Sequence, residues 1–159
     1  MHSKLLSIPL FVAFIFTGCS KSEPDAVAAA PSGPRTIQLT AGDNMKYNIT
    51  QIEAAPGEVL DVTLTNTGVL PKEAMGHDWI LLQAGSDPDA YSRAAVNAKD
   101  AGYQPPELAY EVLASIAVLG PSQTGDVKFT VPTKPGEYPF LCSFPAHCQS
   151  GMKGVLVVH

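Results

Sequence analysis

Residues that could bind a metal are concentrated in the stretch CSFPAHCQSGM, which runs from 142 to 152. It contains two thiols, an imidazole and a thioether, at Cys142, Cys148, His147 and Met152. Sulfur ligands favour soft metals, and imidazole suits copper, zinc, iron and nickel. The sequence lacks the paired short cysteine spacings of structural zinc sites and, in this stretch, the oxygen cluster that calcium or magnesium needs. Copper therefore fits this residue set best.

A second imidazole is needed to complete such a site, and His77 is the candidate. His2 lies in the N-terminal segment and His159 is the last residue. His77 follows Gly76 at the start of an apolar stretch, 65 residues before Cys142. A histidine at the start of a strand can lie close to a loop at the same end of a sandwich. We therefore predict that one distant strand and one terminal loop form the site.

Each candidate also has an ordinary structural interpretation. His77 could satisfy a strand end, Met152 could fill the core, and Cys142 could be a buried apolar side chain. Their occurrence together favours a metal site. The role of Cys148 is open: it could be a buried spectator, form a disulfide with a second copy, or bind copper at an unintended position. We favour the spectator. A disulfide from Cys142 to Cys148 would have to close a tight loop around Pro145.

Short alternating segments predict an all-β domain over residues 36–159. Alternation of apolar and polar residues, interrupted by Gly, Pro and Asn, indicates half-buried strands. About eight such segments are typical of a β-sandwich or barrel. Pro139 lies inside one of them and predicts an edge position or a bulge. The predicted strands cover 36–40, 45–52, 57–66, 78–83, 110–120, 125–132, 136–142 and 153–159.

Residues 86–102 have helical periodicity instead. Asp87 or Ser86 is a candidate N-cap, and Pro88 suits the first turn. Small and apolar residues then recur at helical spacing until Gly102, which predicts the end of the helix. We predict one short amphipathic helix inserted between strands.

The N-terminal segment predicts export and lipid attachment. After Lys4, a twelve-residue apolar run that is too short to span a bilayer ends in FTGC. This ending resembles the lipobox of bacterial lipoproteins, with Cys19 as the lipidated residue. We predict a lipoprotein signal peptide over 1–18 and a lipid-anchored flexible tether over 19–35. Ser20 resembles a signal for sorting to the outer membrane, whereas an ordinary cleaved signal would leave Cys19 incidental.

The charge balance argues against nucleic acid as a partner. The chain has 10 basic and 15 acidic residues, and its formal net charge is −5 at neutral pH. Along the sequence, basic residues form no patch and are not interleaved with aromatic residues. The acidity is compatible with a basic protein partner but is also ordinary for a soluble domain.

Two segments together resemble the blue copper proteins, or cupredoxins, and among them the azurins and auracyanins. They are LPKEAMGHDW, residues 70–79, and YPFLCSFPAHCQSGMKGVL, residues 138–156. Azurins have Leu-Pro-Lys before Met-Gly-His-Asn-Trp, and a Cys-Thr-Phe-Pro-Gly-His loop that ends at Met-Lys-Gly. The resemblance extends over most of 36–158 and implies a Greek-key β-sandwich of about eight strands with one short helical insertion.

The resemblance also implies the ligands of one type 1 copper ion. His77 and His147 would be imidazole ligands, Cys142 the thiolate and Met152 a long axial ligand. The backbone carbonyl of Gly76 would approach weakly from the opposite side, where a glycine leaves room.

The departures from the family pattern lie around these ligands. The four residues between His147 and Met152 are one more than in azurin, as in auracyanin. Asp78 replaces the azurin asparagine that braces the cysteine loop, and an ionised carboxylate cannot donate hydrogen bonds. We expect Asp78 to brace the loop in a different way, and Met75 to contribute to an apolar docking surface.

The implied function is electron transfer by Cu(II)/Cu(I) cycling. The sequence pairs no nucleophile with a positioned base, so we predict a carrier and not an enzyme, with the electron passing through His147. Expected partners are redox proteins such as a cytochrome c or a copper-containing or haem reductase or oxidase, at a periplasm-facing membrane. The alternatives are a periplasmic copper-binding or copper-delivery protein and a metal-free interaction module on a lipid anchor.

Overall fold

The computed structural model describes residues 33–159. The predicted signal peptide, the predicted lipidation site Cys19 and most of the tether over 19–35 lie outside the described residues. Within residues 33–159, no helix is long and apolar enough to cross a membrane.

Eight strands form two sheets around a shared apolar core, which confirms the predicted β-sandwich. The strands are β1 (Arg35–Ala41), β2 (Gln51–Ala54), β3 (Val59–Asn66), β4 (His77–Leu82), β5 (Val112–Leu119), β6 (Thr124–Thr130), β7 (Gly136–Leu141) and β8 (Lys153–Val158). One sheet has the order β1-β3-β6, and the other has the order β2-β8-β7-β4-β5. In β3, alternation places Leu60, Val62 and Leu64 in the core.

The helical insertion is present but shorter than predicted. After a four-residue helix α1 (Lys72–Met75), helix α2 spans Pro88–Ala95. Asp87 caps α2 by accepting a hydrogen bond from the backbone amide of Asp89 at 2.9 Å. Residues 96–102 contain no fully buried side chain that would hold another helical turn against the sheet. The chain instead makes 3-10 turns at Lys99–Ala101 and, after Gly102, at Pro106–Glu111.

The strand predicted over 45–52 is wrong for most of its length. Only the part from Gln51 onward is a strand. Met45 has a φ of 54°, in the left-handed region that β-strands do not use. The side chain of Asn48 accepts a hydrogen bond from the Thr40 amide at 2.7 Å, and so takes the place of a strand partner there.

Pro139 lies in an internal strand, contrary to the predicted edge position, and β7 pairs with β8 without a bulge. Its partner Val155 donates its amide to Thr50 on the other side, so Pro139 and Val155 are a non-hydrogen-bonded pair. The nitrogen of Pro139 therefore points toward β4. Pairing between β7 and β4 covers only Phe140 and Leu141, so the missing N–H costs no ladder bond.

The strand directions bring three chain segments to one end of the sandwich. β7 is antiparallel to both β4 and β8, so its end lies beside the starts of those two strands. His77 opens β4, Cys142 follows β7 and Met152 precedes β8. We call this end the metal pole. The opposite pole carries the start of β1, at Arg35, and the end of β8.

Candidate metal centre

His77, Cys142 and His147 meet at the metal pole. One ring nitrogen from each histidine and the Cys142 Sγ all lie within 4.8 Å of one another. The ring centroids of the histidines are 5.0 Å apart, and Cys142 Sγ lies 3.4 Å from Nδ1 of His147. Nitrogen and sulfur ligands bind a metal at about 2.0–2.3 Å, so donor atoms at this spacing can share one ion.

The ring of His77 is a buried polar group without a hydrogen-bond partner. It is 0% exposed, and neither Nδ1 nor Nε2 is bonded within the described residues. Burial lowers the pKa of His77, against smaller opposing effects of the Gly42 backbone and Asp43, neither of which makes a hydrogen bond of good geometry to the ring. An unsatisfied buried ring costs free energy, whereas a neutral imidazole is the form that binds a metal. The site therefore fits a metal ion.

In the metal-free protein, burial shifts the pKa values of His147 and Cys142 so that both side chains are neutral. Burial, and secondarily the charge of His77, lowers the pKa of His147 to about 4, so its ring is neutral at pH 7. Burial, followed by the charge of Asp78, raises the pKa of the Cys142 thiol well above its ordinary value. Because metal binding requires the thiolate, loading the site must release the Cys142 proton.

Position 76 needs a glycine because a side chain would not fit there, and not because of its backbone conformation. Its φ of −69° and ψ of 149° are open to any residue. A Cβ at this position would lie 2.5 Å from Cγ1 of Val118 and 2.7 Å from the carbonyl oxygen of Lys72. It would also lie 3.2 Å from Cε2 of Phe144. The role of the Gly76 carbonyl as a weak ligand stays a prediction.

Met152 is fully buried. Its backbone closes the loop over residues 142–152, which we call the ligand loop. Its amide donates to the carbonyl of His147 at 2.9 Å, and its carbonyl accepts from the amide of Cys142 at 3.0 Å. These two bonds fix Met152 beside the other loop residues of the cluster. Axial ligation by its sulfur stays a prediction.

Asp78 braces the cysteine loop as an acceptor. Its buried carboxylate accepts from the Ser143 amide at 2.6 Å and from the Ser143 hydroxyl. Burial raises the pKa of Asp78 to about 6, although the hydrogen bonds from Ser143 oppose this shift. The hydroxyl of Tyr47 donates to the Asp78 carbonyl. Neither Ser143 nor Tyr47 was predicted from the sequence. The position of Ser143 directly after Cys142 was an available signal, whereas Tyr47 has no local signal.

A family model described as copper binding proteins, plastocyanin/azurin family, matches residues 35–159. The chain belongs to this family of copper-binding proteins. Together with the cluster of His77, Cys142 and His147, this membership supports a single type 1 copper site.

Individual relatives are consistent with this family membership. Auracyanin-B of Chloroflexus aurantiacus is 32% identical over 82% of this chain and 58% of its own length. Azurin of Pseudomonas fluorescens biotype A is 33% identical over 77% of this chain and 96% of its own. Outer membrane protein H.8 of Neisseria meningitidis serogroup B is 32% identical over 73% of this chain and 63% of its own length. The chain thus spans less than two thirds of the auracyanin-B and H.8 proteins, but nearly all of the azurin.

Solved structures show the same fold. The crystal structure of dithionite-reduced auracyanin from Roseiflexus castenholzii matches with a TM-score of 0.69 at 32% identity, over 80% of this chain and 99% of that one. A structure of auracyanin B matches with a TM-score of 0.68 at 31% identity, over 78% and 88%.

In this cupredoxin, Cys148 is separate from the ligand cluster. Its fully buried Sγ lies 3.4 Å from Oδ1 of Asp89 and 3.6 Å from the carbonyl oxygen of Pro88, both at the start of α2. Cys142 and Cys148 are not joined in a disulfide. Burial raises the pKa of Cys148 to about 11, so the thiol is protonated and able to donate a hydrogen bond.

Exposed apolar side chains precede Met75 in the chain. Met75 is only half-buried, while Val69 is 82% exposed and Leu70 is also exposed. These residues connect β3 to β4 at the metal pole. Val69 and Leu70 were not predicted from the sequence, although both lie in the segment just before Met75.

Proposed function

We propose that this cupredoxin carries single electrons between redox proteins outside the cytoplasm. His77, Cys142, His147 and Met152 would hold the copper ion, with the Gly76 carbonyl as a weak fifth contact. The observation that carries the proposal is the buried cluster of two neutral imidazoles and a thiol, in which the His77 ring has no other partner. Copper, when bound, supplies a one-electron Cu(II)/Cu(I) couple.

The protein's own residues limit how far the ligands can rearrange. His77 is held on a strand, and the loop that carries the other ligands is closed by the Met152 backbone bonds. Asp78 holds the first residue after Cys142 through two hydrogen bonds. Burial of the proposed ligands limits the access of water and other molecules to the site. This arrangement favours a carrier over an enzyme.

His147 is the proposed point of electron exit. It is the one member of the cluster with any exposed surface, at 2%. Its ring lies 4.8 Å from that of Phe144, centroid to centroid. Replacement of His147 by Gly is expected to slow electron self-exchange, measured by mixing the oxidised and reduced forms. Normal exchange in a His147→Gly variant that still binds copper would contradict this route.

A copper-delivery protein is the alternative, and retention of the ion separates the two functions. The full chain is loaded with Cu(II), reduced with ascorbate and mixed with a Cu(I) chelator. A carrier is expected to keep its copper on the timescale of reduction and reoxidation, since its ligands are buried and come from separate elements. Rapid, quantitative transfer to the chelator would support delivery.

We further propose that the domain is attached through lipidated Cys19 to a membrane that faces the periplasm. The lipobox-like FTGC supports this placement, as does the relative named outer membrane protein H.8. The proposed partners are redox proteins, such as a cytochrome c or a copper-containing or haem reductase or oxidase, that dock at the metal pole. Growth with a labelled fatty acid tests the anchor: the label should enter the wild type and not a Cys19→Ala variant.

A further inference from the structure

Helix α2 is joined to the ligand loop and to the start of β8 by polar contacts that the copper site itself does not use. The thiol of Cys148 lies 3.4 Å from Oδ1 of Asp89. Nζ of Lys153 lies 2.9 and 2.8 Å from the two carboxylate oxygens of the same Asp89. The side-chain amide of Gln149 donates to Oγ of Ser92 at 2.5 Å. Asp89 and Ser92 belong to α2.

The residues that contact α2 are adjacent in sequence to the proposed ligands. Cys148 and Gln149 lie between His147 and Met152, and Lys153 directly follows Met152. A movement of α2 would therefore move the backbone that carries two proposed ligands. Of the three contacts, the one through Cys148 is the closest in sequence to His147.

We propose that Cys148 is a positioning residue for the copper site. Its thiol donates a hydrogen bond to Asp89, fixes α2 against the ligand loop, and thereby holds His147 and Met152 in place. The inference rests on the proposed copper site and adds a role for a residue outside the ligand cluster.

The surroundings of Cys148 favour this role over a reactive one. The residue is 0% exposed and packs in an apolar cluster with Ile80, Leu141 and Tyr91. A thiol enclosed in this way is not accessible for a disulfide with a second copy. The Sγ of Cys142 lies against His147, whereas that of Cys148 lies against α2. The two sulfur atoms therefore contact different parts of the site.

The acceptor makes the contact stronger than an ordinary thiol hydrogen bond. The hydrogen bond from Lys153 lowers the pKa of Asp89, so its carboxylate is ionised at neutral pH. Hydrogen bonds to a charged acceptor are stronger than those to a neutral one. Loss of the Cys148 thiol should therefore be measurable at the copper site.

The test compares Cys148→Ala, Cys148→Ser and Asp89→Ala in the copper-loaded full chain. Serine keeps a donor of similar size, whereas alanine removes it. The readouts are the visible spectrum, the electron paramagnetic resonance spectrum of Cu(II), the reduction potential and the rate of copper release to a chelator. Arg93→Gln is the control on α2, since that side chain is exposed and its one ion pair among the described residues is with Asp87, at 3.9 Å. Its charge is the smallest of the effects that lower the pKa of Asp89.

We expect Cys148→Ala and Asp89→Ala each to speed copper release about tenfold, which corresponds to about 1.4 kcal/mol, and to shift both spectra and the potential. Cys148→Ser should restore wild-type values, and Arg93→Gln should not change them. The double variant should equal Asp89→Ala, because both changes remove the same bond.

Three results would overturn the proposal: unchanged spectra in Cys148→Ala, serine behaving like alanine, or additive effects in the double variant. A wild-type protein without a thiolate–copper band would instead mean that the proposed function has failed. That outcome is visible before any variant is examined.

Discussion

Polar groups are buried at one end of the sandwich and partly exposed at the other. At the metal pole, His77 is buried without hydrogen bonds and the carboxylate of Asp78 is fully enclosed. At the opposite pole, Arg35 pairs with Glu58 at 2.6 Å, and 39% of the Arg35 side chain remains exposed. Unsatisfied buried groups cost free energy, whereas partly exposed ion pairs change stability little. A metal ion would account for the buried polar groups of the metal pole, whereas the ion pair at the opposite pole is simply in contact with solvent.

The largest effect is expected from Cys142→Ser. Serine removes the only thiol within the ligand cluster, so the copper-loaded variant should lose the intense visible band of a thiolate–Cu(II) bond completely. The measurement is the visible spectrum at equal copper loading, with Cys148→Ser as the matched control that keeps the band. Retention of the band in Cys142→Ser would mean that another residue supplies the thiolate.

Gly76→Ala should destabilise the metal pole, because the new side chain would clash with its neighbours. The new Cβ would approach the backbone carbonyl oxygen of Lys72 to 2.7 Å and Val118 to 2.5 Å, and a backbone atom cannot move aside cheaply. We expect a loss of about 3 kcal/mol in the free energy of unfolding of the metal-free protein, measured by urea denaturation. Gly33→Ala, with no neighbour within 4 Å, is the control and should be nearly neutral. Equal stability of both variants would contradict the crowding.

Asp78→Asn should remove a pH dependence from the metal-free protein. The pKa of Asp78 is about 6 in the folded state, above its ordinary value of 3.8, so the folded state binds more protons between these values. The free energy of unfolding should therefore fall as pH rises through this window. Relative to wild type, the variant should gain up to about 3 kcal/mol between pH 4 and pH 7. Denaturation curves across this range measure the difference, and parallel pH profiles would contradict it.

The smallest effect is expected at the opposite pole. Arg35→Gln removes the ion pair with Glu58, whose partners are partly solvated. The free energy of unfolding should fall by about 1 kcal/mol or less, and the visible spectrum of the copper form should not change. A shift in that spectrum would mean that the two poles are coupled, which would remove the contrast between them.

The residues that meet at the metal pole were predictable because their signals are local. Cys142, His147 and Met152 share eleven residues, and His77 opens an apolar run that had to be a strand. The hydrogen bonds that support these residues were harder to predict from the sequence. Ser143 acts through a carboxylate 65 residues away in sequence, and the hydroxyl of Tyr47 reaches the same Asp78 from a third segment. Such partners follow from the fold and not from spacing.

The errors in the predicted fold also arise from contacts between distant segments. Alternation over 45–52 favoured a strand, but Met45 adopts a left-handed φ, and the side chain of Asn48 replaces a ladder bond. Pro139 suggested an edge because proline lacks a donor. The register shows that its nitrogen points to a side where pairing has already ended. Both cases depend on where the neighbouring strand lies, which the sequence pattern does not contain.

The central claim is that His77, Cys142 and His147 form one type 1 copper site. The most direct measurement is a Cu(II) titration of the full chain, followed by visible and electron paramagnetic resonance spectra before and after addition of ascorbate. We predict an intense thiolate–Cu(II) band that saturates at one copper per chain and disappears reversibly on reduction. Copper that binds without this band, or only as Cu(I), would contradict the claim.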